Sequence, residues 1–247
     1  MNWHLIISLI SAFTLSLPLI LIFGLRLFTN KSFLALGIHY LLAFVYNLMT
    51  AGILPTTISL RRNFAITNNL LDIPLLLIFL LFFTRSWRLS KQLVAGLAAY
   101  IIFEIISIII AGYSITSTTI VLGPGILIIV CFSFYFFLKH IQVQDSPAET
   151  GKIVMLCSLL FAYGSYSLIY IFHYILKVPY IQDVFLIYYL VTIIASLAMA
   201  TGIWLERKKI TQSEVEALTG APIKKEHTQS KGVTKVAPLN ENEFRYK

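Results

Sequence analysis

Charge is scarce in this chain. Only 12% of its 247 residues are Asp, Glu, Lys or Arg, about half of what a soluble chain of this size carries. Alternating segments of about ten residues, which a transmembrane barrel needs, are also absent. No nucleophile elbow, HExxH, phosphate-binding loop, dinucleotide fingerprint or kinase signature occurs, so no catalytic set can be named and no nucleic-acid role is read. Cysteine is nearly missing. Cys131 and Cys157 both fall in apolar runs and read as small core residues rather than a disulfide or a metal pair. No group of three His or carboxylate ligands clusters in the sequence, so no metal site is expected.

Apolar sequence is abundant instead. Hydrophobic residues make up 58% and mean hydropathy is +0.83. Runs of about 20 apolar residues recur, each able to cross a hydrocarbon core of about 30 Å as a helix. The expected fold is an all-α polytopic membrane protein, a seven-transmembrane-helix bundle. Approximate spans are 4–24, 33–54, 66–84, 92–112, 118–138, 153–176 and 183–205. The first run has no basic leader and no small-residue cleavage site, and reads as a retained helix rather than a signal peptide. Short connections favour up-and-down packing of sequential neighbours.

Lys and Arg divide unevenly between the two sides. Arg26, Lys31, Arg85, Arg88, Lys91, Lys139, Lys152, Arg207, Lys208 and Lys209 fall on one, and Arg61, Arg62 and Lys177 on the other. The bias places the N-terminus outside and the C-terminus inside, in a multi-pass protein of the cell membrane. Residues 1–206 form the membrane domain. Residues 207–247 read as a basic, largely disordered cytoplasmic tail, with the SEVEAL stretch able to prolong the last helix. The basic loops and tail could meet anionic lipid or a cytoplasmic partner.

Ionisable groups at membrane depth are costly, at least about 2.5–3.5 kcal/mol on insertion scales, and so mark functional candidates. Within residues 1–205, Asp145 and Glu149 lie in a loop and Asp183 opens the last span. Only Asp72 and Glu104 fall inside apolar runs. With span three starting at 66, Asp72 lies about 9 Å below the outer end, and Glu104 about 18 Å from the inner end of span four. Asn47 and His173 also fall in the outer half. His39 falls in the inner third and reads as a bond to a neighbouring helix.

Helical spacing groups these residues into faces. Asn68 and Asp72 are four apart. Tyr100, Glu104 and Ser107 form a stripe on span four. Tyr163, Tyr166, Tyr170 and His173 do so on span six, and Tyr188, Thr192 and Ser196 on span seven. Together they point to an outward-opening pocket between helices. The candidate ligand-binding or proton-active residues are therefore Asp72, Glu104, His173, Asn68, Asn47, Tyr100, Tyr166 and Tyr170. Tyr170 also fits an interfacial aromatic belt. Pro18, Pro74 and the GPG at 123–125 should kink their helices and open room between them.

Seven spans, short loops and Asp72-Ile73-Pro74-Leu75-Leu76-Leu77 in span three resemble the microbial rhodopsins, whose third helix carries a Thr-x-Pro-Leu-Leu-Leu-like stretch. The resemblance implies a seven-helix bundle with an external N-terminus. The chain departs from the family at the chemistry. The carboxylate position six before the proline is Asn68, the arginine position is Ala65, and the threonine position is Asp72. Tyr188 to Trp204 contains no lysine, so a covalent retinal is disfavoured. Common descent without the chromophore and convergent topology both fit.

Three functions are compatible with this pattern. One is a receptor-like or sensory module binding a small apolar or amphipathic ligand. Another is an intramembrane lipid-active enzyme using Asp72, Glu104 and His173 as general acid and base. The third is a proton or small-solute transporter, although no inverted repeat is visible.

Overall fold

A computed structural model describes residues 3–84, 86–142, 150–176 and 184–219. Arg85, Asp145, Glu149, Lys177, Tyr180 and Asp183, and the tail beyond Thr219, lie outside the described residues. The described residues form seven long helices and no strand: α1 (Trp3–Gly24), α2 (Lys31–Thr50), α3 (Ile58–Leu80), α4 (Trp87–Ala111), α5 (Ile115–Gln142), α6 (Thr150–Tyr170) and α7 (Val184–Thr219). Each has a segment long and apolar enough to cross a membrane. The protein is a multi-pass, all-α membrane bundle of seven helices.

Polar caps fix several helix starts. The Asn30 side chain accepts from the Ser32 amide before α2, Thr57 Oγ1 from Leu60 before α3, and Ser86 Oγ from Leu89 before α4. The Thr57 cap changes the expected layout. Span three begins at Ile58, eight residues before the expected 66. The helix continues through Arg61, Arg62 and Asn63, whose side chains are exposed, so an apolar window alone misses that turn. At the other end of the chain, α7 runs through the SEVEAL stretch to Thr219, past the expected domain boundary at 206.

Sequential helices pack side by side, and α1 closes the ring against α7. α3 also meets α5 directly, with α4 seated against both. α4 is the least enclosed of the spans. Its Ile109 and Ile110 are 76% and 80% exposed, apolar surface suited to lipid. α6 and α7 approach most intimately at Gly202, where an added Cβ would lie 2.5 Å from Met155 Cγ and 2.9 Å from the Gly151 carbonyl oxygen. Small residues at helix crossings allow such approach where no hydrophobic force joins helices in lipid. Cys131 and Cys157 do not fill the core as expected. Both are free thiols on the exposed surface of the bundle.

Candidate functional site

The register of α2 against α3 creates the central feature. The two helices run antiparallel through a short connection. His39 lies eight residues after Lys31, at the start of α2, and Asp72 lies eight residues before Leu80, at the end of α3. They therefore meet at one level. His39 Nδ1 is 2.8 Å from Asp72 Oδ1. From α6, Tyr163 Oη donates to Asp72 Oδ2 at 2.7 Å. The carboxylate is thus held by one donor on each oxygen, from two different helices. An ionised carboxylate only accepts, so against the Asp72 carboxylate His39 Nδ1 is the donor.

This arrangement revises the expected depths. Counted from Ile58, Asp72 is about 21 Å from the N-terminal-side end of its helix, not about 9 Å. His39, assigned to a different level from sequence, is its direct partner. Glu104 lies only seven residues before the end of α4, about 10 Å from that same side. The two acids do not share a level.

Around the Asp72 centre lies a cavity of about 270 Å³. Its lining comes from α1, α2, α3, α5 and α6 with its extension, and α7, and includes no residue of α4. His39, Asn68, Asp72, Tyr163 and Thr192 supply polar groups. Leu36, Leu76, Leu122 and Leu159 supply apolar wall. The rings of Tyr166 and Tyr188 stack at 5.3 Å between centroids, and Tyr163 meets Tyr166 edge-on at 5.6 Å. Tyr166 Oη shares a 2.9 Å hydrogen bond with Thr192 Oγ1, which itself donates to the Tyr188 carbonyl. Since Thr192 has one proton, Tyr166 is the donor in that pair. Toward the N-terminal side the cavity reaches Tyr174 and Tyr188, both exposed.

The helix breakers serve this lining. Pro74 sits inside α3 two residues after Asp72 and removes a helical bond to the Leu70 carbonyl. Pro124 sits inside α5. Beside it, Gly123 lets Tyr170 press onto α5; an added Cβ would fall 2.6 Å from the Tyr170 hydroxyl. Tyr170 Oη donates to the Thr119 carbonyl at 3.1 Å, and from the other side of α5 Tyr100 Oη reaches the Val121 carbonyl at 3.4 Å. After Tyr170, residues Ile171–Ile175 widen into a π-helical turn that ends the cavity-lining part of α6. Single π turns recur at functional sites.

The structure brings together four of the eight candidate residues. Asp72, Asn68, Tyr166 and Tyr170 all line the cavity. Tyr100 and Glu104 do not, because they sit on α4. Their stripe is nonetheless buried as expected, with Ser107 completing it. Asn47 faces α1 instead of the cavity. It accepts from Ser8 at 3.2 Å and donates to Ser11 at 3.1 Å, a helix-to-helix clasp. His173 falls in the π-helical turn, and its side chain lies outside the described residues. His39, partly buried, bonds a neighbouring helix as expected, and its partner there is Asp72. Two buried ionisable side chains, His140 and Glu206, escape the sequence reading. Glu206 lies one residue beyond the last expected span, yet is 2% exposed and packs on Gly151. Among the described residues no group of three or more His, Cys, Asp or Glu side chains could hold a metal ion.

Comparison of the chain with family models, with curated proteins and with solved structures finds no match.

Proposed function

We propose that this chain is a membrane-embedded binding module, receptor-like or sensory in kind, for a small apolar or amphipathic molecule. One observation carries the reading: a cavity of about 270 Å³ inside the bundle, with tyrosine and leucine walls and the Asp72 carboxylate pinned by His39 and Tyr163. Binding sites of this type combine an apolar lining with a few fixed polar groups that orient the ligand. The volume is at the small end for ligand sites. The polar anchor is already set by protein partners before any ligand arrives, which lowers the entropic cost of binding. With the N-terminus outside, as the basic residues indicate, the cavity opens outward and the basic ends of the helices face a cytoplasmic partner.

The test uses the full chain in lipid nanodiscs and a panel of ten-carbon amphiphiles. A ligand at a hundredfold excess over Kd stabilises the folded protein by about 2.7 kcal/mol, which a thermal unfolding curve resolves. Saturable stabilisation by at least one probe, lost in Ala43→Phe, supports the proposal. Ala43 lines the cavity one turn from His39 and is only partly buried, so the larger ring enters the cavity rather than packed core. No saturable effect of any probe, or an effect unchanged by Ala43→Phe, overturns it.

A further inference from the structure

The Asp72 centre engages one edge of an imidazole and leaves the other open. His39 Nδ1 is bound to Asp72, and no described residue hydrogen-bonds Nε2. The His39 side chain is 19% exposed and lines the cavity. In the neutral imidazole that donates from Nδ1, Nε2 carries a lone pair and acts as an acceptor. Asn68, one helical turn from Asp72 on the same face of α3, also lines the cavity, and no described residue hydrogen-bonds its amide. Asp72 itself already accepts from two donors. The polar groups of this cavity that no described residue hydrogen-bonds thus include one edge of the His39 imidazole, the amides of Asn68 and Asn69 and the Tyr188 hydroxyl, beside apolar wall.

We infer that the ligand is an uncharged amphiphile ended by a hydroxyl, its O–H donated to His39 Nε2 and its apolar chain laid along the tyrosine and leucine walls. This rests on the binding-module reading above and specifies its ligand. A hydroxyl fits because it donates once and accepts from an amide such as that of Asn68. A carboxylate head does not fit: Asp72 repels it, and among the described residues no Lys or Arg lines the cavity. A bare hydrocarbon covers Nε2 and the Asn68 amide without pairing either. The modest volume suits a medium-length or small terpenoid alcohol.

The experiment measures Kd, as mole fraction in the bilayer, for four probes on the full chain in nanodiscs: 1-decanol, decyl methyl ether, decylamine and decanoic acid. The ether keeps the oxygen and loses the O–H. The expected result is that 1-decanol binds about five- to tenfold tighter than the ether, the worth of one hydrogen bond. That ratio should fall to about one in His39→Phe and persist in His39→Gln, whose amide oxygen accepts. Equal affinity of 1-decanol and the ether in the wild-type protein overturns the hydroxyl assignment while leaving the binding module standing. Tighter binding of decylamine or decanoic acid than of 1-decanol overturns it in the same way. Absence of saturable binding for all four probes removes the binding-module reading itself. Should His39→Phe fail to fold, the wild-type ratio and His39→Gln decide.

Discussion

The contact between His39 and Asp72 makes a quantitative prediction. A double-mutant cycle with His39→Ala, Asp72→Ala and the double variant isolates their coupling, provided each truncation removes the contact without adding another. The pair is 2.8 Å apart, with side chains 19% and 18% exposed. Hydrogen bonds to a charged group contribute about 1.5–3 kcal/mol in soluble proteins. Interhelical polar pairs in membranes average nearer 0.6 kcal/mol, with a maximum near 1.7, because the unfolded chain in lipid also finds partners. A well-formed, partly enclosed pair belongs at the upper part of the membrane range. The expected coupling is therefore about 1–1.5 kcal/mol, roughly a factor of ten in the folding equilibrium. Pulse proteolysis across an SDS titration in mixed micelles measures each corner of the cycle. A coupling under about 0.3 kcal/mol, the additivity of independent sites, would refute the α2–α3 register. The matching cycle of Glu104 with Asp72 should be additive, since Glu104 lies on a helix that does not reach the cavity.

Three further outcomes follow from the packing. Gly202→Ala should destabilise the bundle by about 1–3 kcal/mol in the same SDS titration, because the new methyl meets Met155 and the Gly151 carbonyl, and a backbone oxygen cannot swing away. Asn47→Ala should cost about 1–2 kcal/mol, since it strips two hydrogen bonds to α1 and leaves Ser8 and Ser11 without that partner, while binding of 1-decanol is retained. Tyr163→Phe should lower stability by about 1 kcal/mol and weaken ligand binding several-fold, because Asp72 loses one of its two donors; an unchanged Kd would detach that carboxylate from the site.

Much of this architecture is legible in the residues. Apolar runs between polar gaps locate all seven helices, since lipid demands about 20 apolar residues per crossing. The faces are legible too: helical spacing places Asn68 with Asp72, and Tyr163 with Tyr166 and Tyr170, and each of these residues lines one cavity. What hydropathy hides is register. A helix does not stop where its sequence turns polar: the Thr57 cap starts α3 two turns earlier, which puts Asp72 mid-helix, and the Lys31 and Leu80 ends bring it level with His39. Neither can a one-dimensional reading say which helix is peripheral. The Tyr100–Glu104–Ser107 stripe is buried like a core face, but against the α3–α5 seam and away from the cavity. The Asp-Ile-Pro-Leu-Leu-Leu stretch marks the centre of the site because its carboxylate, not its proline, finds partners on two other helices.

The central claim is that a small amphiphile occupies the cavity around Asp72. Photolabelling tests it most directly: a diazirine-bearing decanol is irradiated with the full chain in nanodiscs, and the adducts are mapped by mass spectrometry. The expected result is saturable labelling of the α6 and α7 segments that carry Tyr163, Tyr166 and Tyr188, suppressed by excess 1-decanol. Labelling confined to outward residues such as Ile109, Ile110 and Leu127, and insensitive to competitor, would contradict it.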